Sequence, residues 1–191
     1  MSFIKEYAIA LPHFRISDKV LSPHGGKGQH AICYTDEDII TLAFQACEKI
    51  ESEIDAILFS TTTPVFKDRY HSSYLADLLG LKEGVFALDL GSTNRAGTDA
   101  IVLADRLLKS GSNENILIVA TDVHYPAIGN EAKSSFGHAA VAMVLSNNDG
   151  IAKITEAKTY SSAMSEEFIY KGEKTQYDPR FARTKGFKNN L

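Results

Sequence analysis

The chain of 191 residues is poor in the features that would assign it quickly to a class. It has only two cysteines, Cys33 and Cys47, too few for a disulfide framework or for a cysteine-only zinc site. It has no surplus of positive charge: 20 Lys and Arg face 24 Asp and Glu, for a net charge of −4. That balance gives no electrostatic basis for binding nucleic acid or an anionic membrane surface. No apolar run approaches the roughly 20 residues that span a bilayer. The opening Met1-Ser2-Phe3-Ile4-Lys5-Glu6 lacks the basic and apolar regions of a signal peptide, so a cytoplasmic protein with free thiols is expected. No internal repeat stands out. No Gly-x-Gly-x-x-Gly follows any apolar run, which argues against a dinucleotide-binding domain. The three histidines His13, His24 and His30 lie at irregular spacing and suggest no metal site.

What is present is an alternation of short apolar runs and helical stripes. Ile4 to Leu11 reads as a strand ended by Pro12. Ser17 to His30 carries Pro23, Gly25, Gly26 and Gly28 and reads as a connector, since Lys27 is misplaced for a phosphate loop. Thr35 is an N-cap candidate, followed by Asp36, Glu37 and Asp38, and Ile39, Ala43, Ala46 and Ile50 recur at helical spacing. Cys47 falls in that stripe and reads as core; Cys33 has no base near it in sequence. Ile54 to Ser60 is a strand apolar enough to be buried on both faces. It ends in the polar turn Thr61-Thr62-Thr63-Pro64, at the strand end where ligands gather in α/β sheets. A helix is predicted over His71 to Leu79, closed by Gly80. Val85 to Leu90 is the next strand, and after small residues including Gly91, Ser92, Ala96 and Gly97 a helix runs from about Arg95 to Lys109. Ile116 to Thr121 and Ala139 to Ser146 are further strands, separated by a polar connection over Asp122 to Ser135. Asn147-Asn148-Asp149-Gly150 reads as a hairpin turn into a strand over Ile151 to Thr159. Tyr160 to Leu191 is polar and aromatic with weak periodicity. The order gives an α/β layered fold with a mostly parallel mixed sheet covered by helices and an antiparallel edge.

Four short motifs in this order carry a resemblance. They are Tyr34-Thr35-Asp36-Glu37-Asp38; Phe59-Ser60-Thr61-Thr62-Thr63-Pro64; Asp89-Leu90 with Arg95-Ala96-Gly97-Thr98; and Phe136-Gly137-His138-Ala139-Ala140. Together they are similar to the N-terminal half of the thiolase superfamily, on its hydroxymethylglutaryl-CoA synthase and ketoacyl synthase III branch. The resemblance implies a βαβαβαββ half over residues 1–160 and a connecting tail over 161–191 leading toward a second half. It implies acyl-transfer chemistry of lipid metabolism by Claisen-type condensation on acyl-CoA or acyl carrier protein, with no separate cofactor and no metal. It also implies dimerisation through the strand over Val85–Leu90.

Under that resemblance the family's nucleophilic cysteine falls on Asn94, which has no thiolate and forms no thioester. The synthases' acid falls on Thr61, which has no carboxylate. The family's Phe-Gly-Asp-Gly becomes Phe136-Gly137-His138-Ala139. Candidate substrate-binding residues are Asn94, Thr98, Thr61, His124 and Arg95. Asn94 could donate to a thioester carbonyl or cap the helix. Thr98 could line a pocket or bond back to its own helix. Arg95 could pair with a ligand phosphate or cover the sheet edge, and His138 reads as structural. Two functions stand: a condensing-enzyme homologue without the usual residues, or a non-catalytic subunit that binds acyl-CoA or scaffolds a thiolase-like complex. The small apolar face of the helix after Asn94 calls for cover, from a second copy or from a separate chain supplying the second half.

Overall fold

The computed structural model describes residues 2–21, 26–91, 93–111, 113–125, 137–159, 167–170 and 173–176. The chain forms two compact units, Met1–Thr155 and Glu156–Leu191. In the first, the elements are β1 (Phe3–Ala10), β2 (Phe14–Ser17), α1 (Asp18–Leu21), β3 (Gln29–Ile32), α2 (Ile39–Cys47), β4 (Ala56–Ser60), α3 (His71–Leu78), β5 (Phe86–Leu90), α4 (Ala96–Ser110), β6 (Asn115–Asp122), β7 (Ala139–Ser146) and β8 (Ala152–Lys153). The second unit contains an antiparallel pair, β9 (Glu167–Tyr170) and β10 (Glu173–Gln176). The rest of the tail, Ser92 and Phe136 lie outside the described residues.

Six strands form one sheet in the order β5-β4-β6-β7-β1-β8. β4 pairs parallel with β5 and β6, and the β6–β7, β7–β1 and β1–β8 pairs are antiparallel. Hence β5, β4, β6 and β1 run one way and β7 and β8 the other. β4 is buried at all five positions, as its unbroken apolar run requires of a central strand. Alternate residues serve opposite faces. Ile57 and Phe59 join Leu117 and Val119 under α2 and α3, while Ala56 and Leu58 join Ile116 and Ile118 under α4.

The α4 face is covered less completely. Ala100, Ala104 and Leu108 are buried against the sheet, but Ile101, Leu103 and Leu107 are only partly so. On β1, Ala8 and Ala10 are buried toward α2, and Tyr7 and Ile9 point the other way at 57% and 49% exposure. Among the described residues this leaves an apolar face open beside α4. No helix among them is long and apolar enough to cross a membrane.

Three local expectations change. First, α2 starts at Ile39 and is capped by Asp38, not Thr35. The Asp38 carboxylate accepts from the Ile40 and Thr41 N–H groups at 2.8 and 2.9 Å, and Thr41 Oγ1 accepts from the Asp38 N–H at 2.7 Å. This reciprocal box satisfies donors at the helix start, whereas Glu37 is occupied one turn earlier by the Tyr34 N–H. Second, the connector expected over residues 17–30 is framed by the antiparallel β2–β3 pair. The Asp18 carboxylate ties its two ends, accepting from the Gly28 N–H at 2.9 Å and lying 2.5 Å from His30 Nε2.

Third, β7 and β8 are not a hairpin. β8 pairs with β1, on the opposite side from β7, and only Ala152 and Lys153 of the expected longer strand do so. The chain reaches that edge by pressing Gly150 against Ile4: a Cβ there would meet the Ile4 carbonyl oxygen at 2.2 Å, while the Ile151 N–H donates to the same oxygen at 2.8 Å. Gly150→Ala therefore forces backbone apart, and chemical denaturation is expected to show a loss of about 2 kcal/mol. An unchanged midpoint would contradict this crossing.

Candidate functional site

A cleft of about 310 Å³ opens where the carboxyl ends of β4 and β6 meet the start of α4. Its geometry follows from parallel pairing. Ser60 and Ala120 lie side by side on β4 and β6, so the polar residues after them, Thr61 and Asp122, emerge at one sheet edge. α4 begins above that edge. Gly91 permits the approach on the β5 side: a Cβ there would stand 3.1 Å from the Thr61 carbonyl oxygen. The floor is made of small residues, Ala96, Gly97, Ala120 and Ala139.

Asp122 organises one wall. Its Oδ1 accepts from the Thr61, Thr62 and Thr63 hydroxyls at 3.0, 3.1 and 3.2 Å and from the Thr62 and Thr63 N–H groups at 2.6 and 3.1 Å. Thr61 Oγ1 in turn accepts from the Thr63 N–H at 3.1 Å. The Thr61 hydroxyl proton is thus directed at a carboxylate, and the group faces the cleft as an acceptor. Sequence reasoning gave Asp122 no role, because a lone acid after a strand looks like any polar loop start. The Thr-Thr-Thr turn on the parallel neighbour was the signal that could have found it.

Asn94 lies on the opposite wall, exposed and just ahead of α4. It does not cap the helix. Arg95 holds the N-cap position without a side-chain bond, and Thr93 supplies the acceptors: its carbonyl takes the Ala96 N–H at 3.0 Å and its hydroxyl the Arg95 N–H at 3.3 Å. Among the described residues the Asn94 side chain makes no hydrogen bond within the chain, leaving its carboxamide available to a ligand. It stands at the positive end of the helix dipole, where the N–H groups of the first turn lack intrahelical acceptors.

The remaining candidates fall elsewhere. Thr98 donates to the Arg95 carbonyl at 2.8 Å, the back-bonded alternative. Arg95 forms an exposed i,i+4 pair with Asp99 at 2.9 Å. His124 offers its carbonyl to His138 Nε2 at 3.1 Å. Of the five candidates, the cleft wall includes Asn94 and Thr61 and not Thr98, Arg95 or His124.

Neither cysteine is an activated nucleophile. Burial, with the carboxylates of Glu37 and Asp38, pushes the Cys33 pKa up to about 11, and burial alone pushes that of Cys47 to about 12. Both remain thiols at neutral pH. Among the described residues no group of three or more His, Cys, Asp or Glu is placed to hold a metal.

A second polar arrangement, outside the cleft lining, fixes β5 against α3. Asp89 Oδ2 accepts from the His71 N–H at 2.8 Å and lies 2.7 Å from His71 Nδ1, and Oδ1 accepts from the Ser72 N–H at 2.9 Å. His71 Nε2 accepts from the Val65 and Phe66 N–H groups, both at 3.1 Å, so the ring proton sits on Nδ1 and points at Asp89. The imidazole is stacked between Phe59 and Phe66. The helix cap that Tyr70 does not provide thus comes from a strand 18 residues away. Burial acts to raise the Asp89 pKa, but the hydrogen bonds from Ser72 and His71 outweigh it and hold the carboxyl below its ordinary range.

No family model matches the chain. Among curated proteins it is 30% identical over 141 residues to the hydroxymethylglutaryl-CoA synthase of Caldivirga maquilingensis, covering 70% of this chain and 40% of that protein. It is 26% identical over 165 residues to the beta-ketoacyl-[acyl-carrier-protein] synthase III of Aquifex aeolicus, covering 81% and 52%. Among solved structures, a hydroxymethylglutaryl-CoA synthase complexed with CoA superposes with a TM-score of 0.81 at 18% identity, over 98% of this chain and 53% of that one. A 3-oxoacyl-(acyl-carrier-protein) synthase III gives 0.72 at 18% identity, over 92% and 65%. The chain spans about half the length of the curated relatives it matches.

Proposed function

We propose, taking as premise that this chain has the thiolase fold and is a homologue of the N-terminal half of the hydroxymethylglutaryl-CoA and ketoacyl-acyl-carrier-protein synthases, that it binds an acyl thioester without forming a covalent acyl-enzyme. One observation carries the reading: the unpartnered carboxamide of Asn94 faces a small-residue cleft at the head of α4. Asn94 Nδ2 donates to the thioester carbonyl oxygen, and the dipole of α4 adds to the partial positive charge around it. The small floor admits a short acyl chain. Thr61 and Asp122 shape the opposite wall as acceptors, and the Asp122 charge disfavours an acyl group that itself carries a carboxylate. The carbonyl is held and polarised, but no cysteine lines the described cleft to attack it.

The ligand is acyl-CoA or an acyl carrier protein, and no other cofactor or metal is called for. The bare apolar face beside α4 and the exposed edge strand β5, where Phe86 is 48% exposed, fit a chain that works covered by a second half and paired as a dimer. A cytoplasmic setting suits both ligands. A condensing reaction by this chain, the alternative, requires a nucleophile from that covering partner.

The test uses radiolabelled acetyl-CoA with the full chain. Equilibrium dialysis is expected to show bound label under native conditions, with affinity reduced up to about tenfold by Asn94→Ala, in line with loss of up to about 1.5 kcal/mol from one carbonyl hydrogen bond. After denaturation no label is expected to remain. Label that survives denaturation contradicts the non-covalent reading, and absence of native binding contradicts the ligand assignment.

A further inference from the structure

The geometry points to His138 as a proton-sensitive pin that fastens one wall of the cleft to the β3–α2 connector. The residue sits between Gly137 and Ala139, both of which line the cleft. Its side chain is buried, at 3% exposure. Its own N–H donates to the Ala31 carbonyl at 2.9 Å, and its Nδ1 accepts from the Cys33 N–H at 2.8 Å. A backbone amide can only donate, so Nδ1 must carry a lone pair. The ring proton is then on Nε2, where it meets the His124 carbonyl oxygen at 3.1 Å. The imidazole is therefore read as neutral and in a single tautomer, joining three stretches of chain that are distant in sequence: the end of β6, the start of β7 and the connector after β3.

Among the described residues, the ionisable groups around it come from both flanking elements. Cys33 and Glu37 lie on the connector side; His124 and Tyr125 lie after β6, with the Tyr125 ring edge-on at 4.8 Å. Burial pushes the His138 pKa below the ordinary histidine value. The bond to the His124 carbonyl and the Glu37 charge act against that shift, and the His124 ring adds to it. A histidine with a lowered folded pKa contributes its stability in full above the unfolded value near 6.5, and loses it as pH falls from there through the folded pKa.

The added proton has one place to go. It enters on Nδ1 from solvent, and two N–H groups then face each other across 2.8 Å. The Cys33 N–H loses its acceptor and the ring is driven from its seat. The fold tolerates the neutral imidazole only, so acid releases the connector from the cleft wall. This regulation is independent of which thioester the cleft holds.

Amide hydrogen exchange at Cys33 in the full chain, followed by NMR from pH 7.5 to 4.5 and corrected for intrinsic exchange, reads the pin directly. Protection is expected to be constant above pH 7, to fall by up to about tenfold per unit as pH drops below about 6.5, and to level off once pH is below the folded His138 pKa. In His138→Asn the side-chain oxygen can accept from the Cys33 N–H without titrating, and the profile is expected to be flat. A variant that keeps the wild-type slope, or a wild-type profile that stays flat, overturns the proposal. Should the variant not fold, ring ¹⁵N shifts of the wild type decide: Nδ1 unprotonated at pH 7.5 and protonated in step with loss of Cys33 protection supports it. A ring with Nδ1 already protonated at pH 7.5, or one that titrates with no change at Cys33, overturns it.

Discussion

Asn94→Cys is expected to create the most reactive thiol in the chain. The position is exposed, so the substitution disturbs no core, and it places sulfur at the positive end of α4. Helix N-termini lower thiol pKa values, and an ordinary exposed cysteine titrates near 8.5. The two native thiols are buried with pKa values of about 11 and 12. From the thiolate populations at neutral pH alone, alkylation at residue 94 should exceed that at Cys33 by at least about 100-fold. With acetyl-CoA the variant should retain up to one label per chain after denaturation, where wild type retains none. Mass spectrometry of the alkylated and acylated protein checks both. An introduced thiol that reacts no faster than Cys33 would place the position away from the positive end of α4 and undo the expectation that it stands where the resemblance puts the family's nucleophile.

Asp89→Ala is expected to be the most damaging single change to stability away from the apolar core. One carboxylate, 19% exposed, serves two N–H groups at the start of α3 and the imidazole of His71, itself 3% exposed. Removing it leaves three donors without a partner, and hydrogen bonds to a charged group contribute about 1.5–3 kcal/mol each with strong coupling between them. A net loss of about 3 kcal/mol is expected near pH 7, or roughly 9 °C in Tm. Asp89→Asn should lose less, since one acceptor oxygen remains. The pH dependence has a definite sign. The folded pKa is lowered, so the native contribution is present above the unfolded value near 3.9 and fades as pH falls below it. The gap between wild type and variant in chemical denaturation should therefore be constant from pH 7 to 5 and shrink below about pH 4. A gap that does not shrink would mean that the charge is not what Asp89 contributes.

Both arrangements show where sequence reading stops. The apolar run Ala56–Ser60, the helical stripe from Ile39, and Gly80 as a left-handed helix end were legible because each is a local pattern with a local cause. The position of Asn94 at a helix start beneath a small-residue turn was legible for the same reason. The partners of the polar side chains were not. Asp89 finds His71 and Ser72, 18 and 17 residues away, and Asp122 finds the threonine turn some 60 residues away. Such pairs exist only because the fold brings strand ends, turns and helix starts together. The placement of β8 failed likewise: Asn147 to Gly150 has the composition of a hairpin turn, but the close approach to Ile4 decides that the chain crosses β1 instead. Thr35 was a sound cap by residue type and lost to Asp38, whose partner Thr41 completes the box three residues on.

The central claim is a carbonyl held by the Asn94 amide. Isotope-edited infrared spectroscopy of acetyl-CoA carrying a ¹³C-labelled thioester carbonyl observes that bond without any turnover. With wild-type protein the bound carbonyl stretch should move to lower frequency relative to free acetyl-CoA. With Asn94→Ala, at concentrations that still load the cleft, most of that displacement should disappear. A bound carbonyl that absorbs at the same frequency in both proteins would contradict the claim.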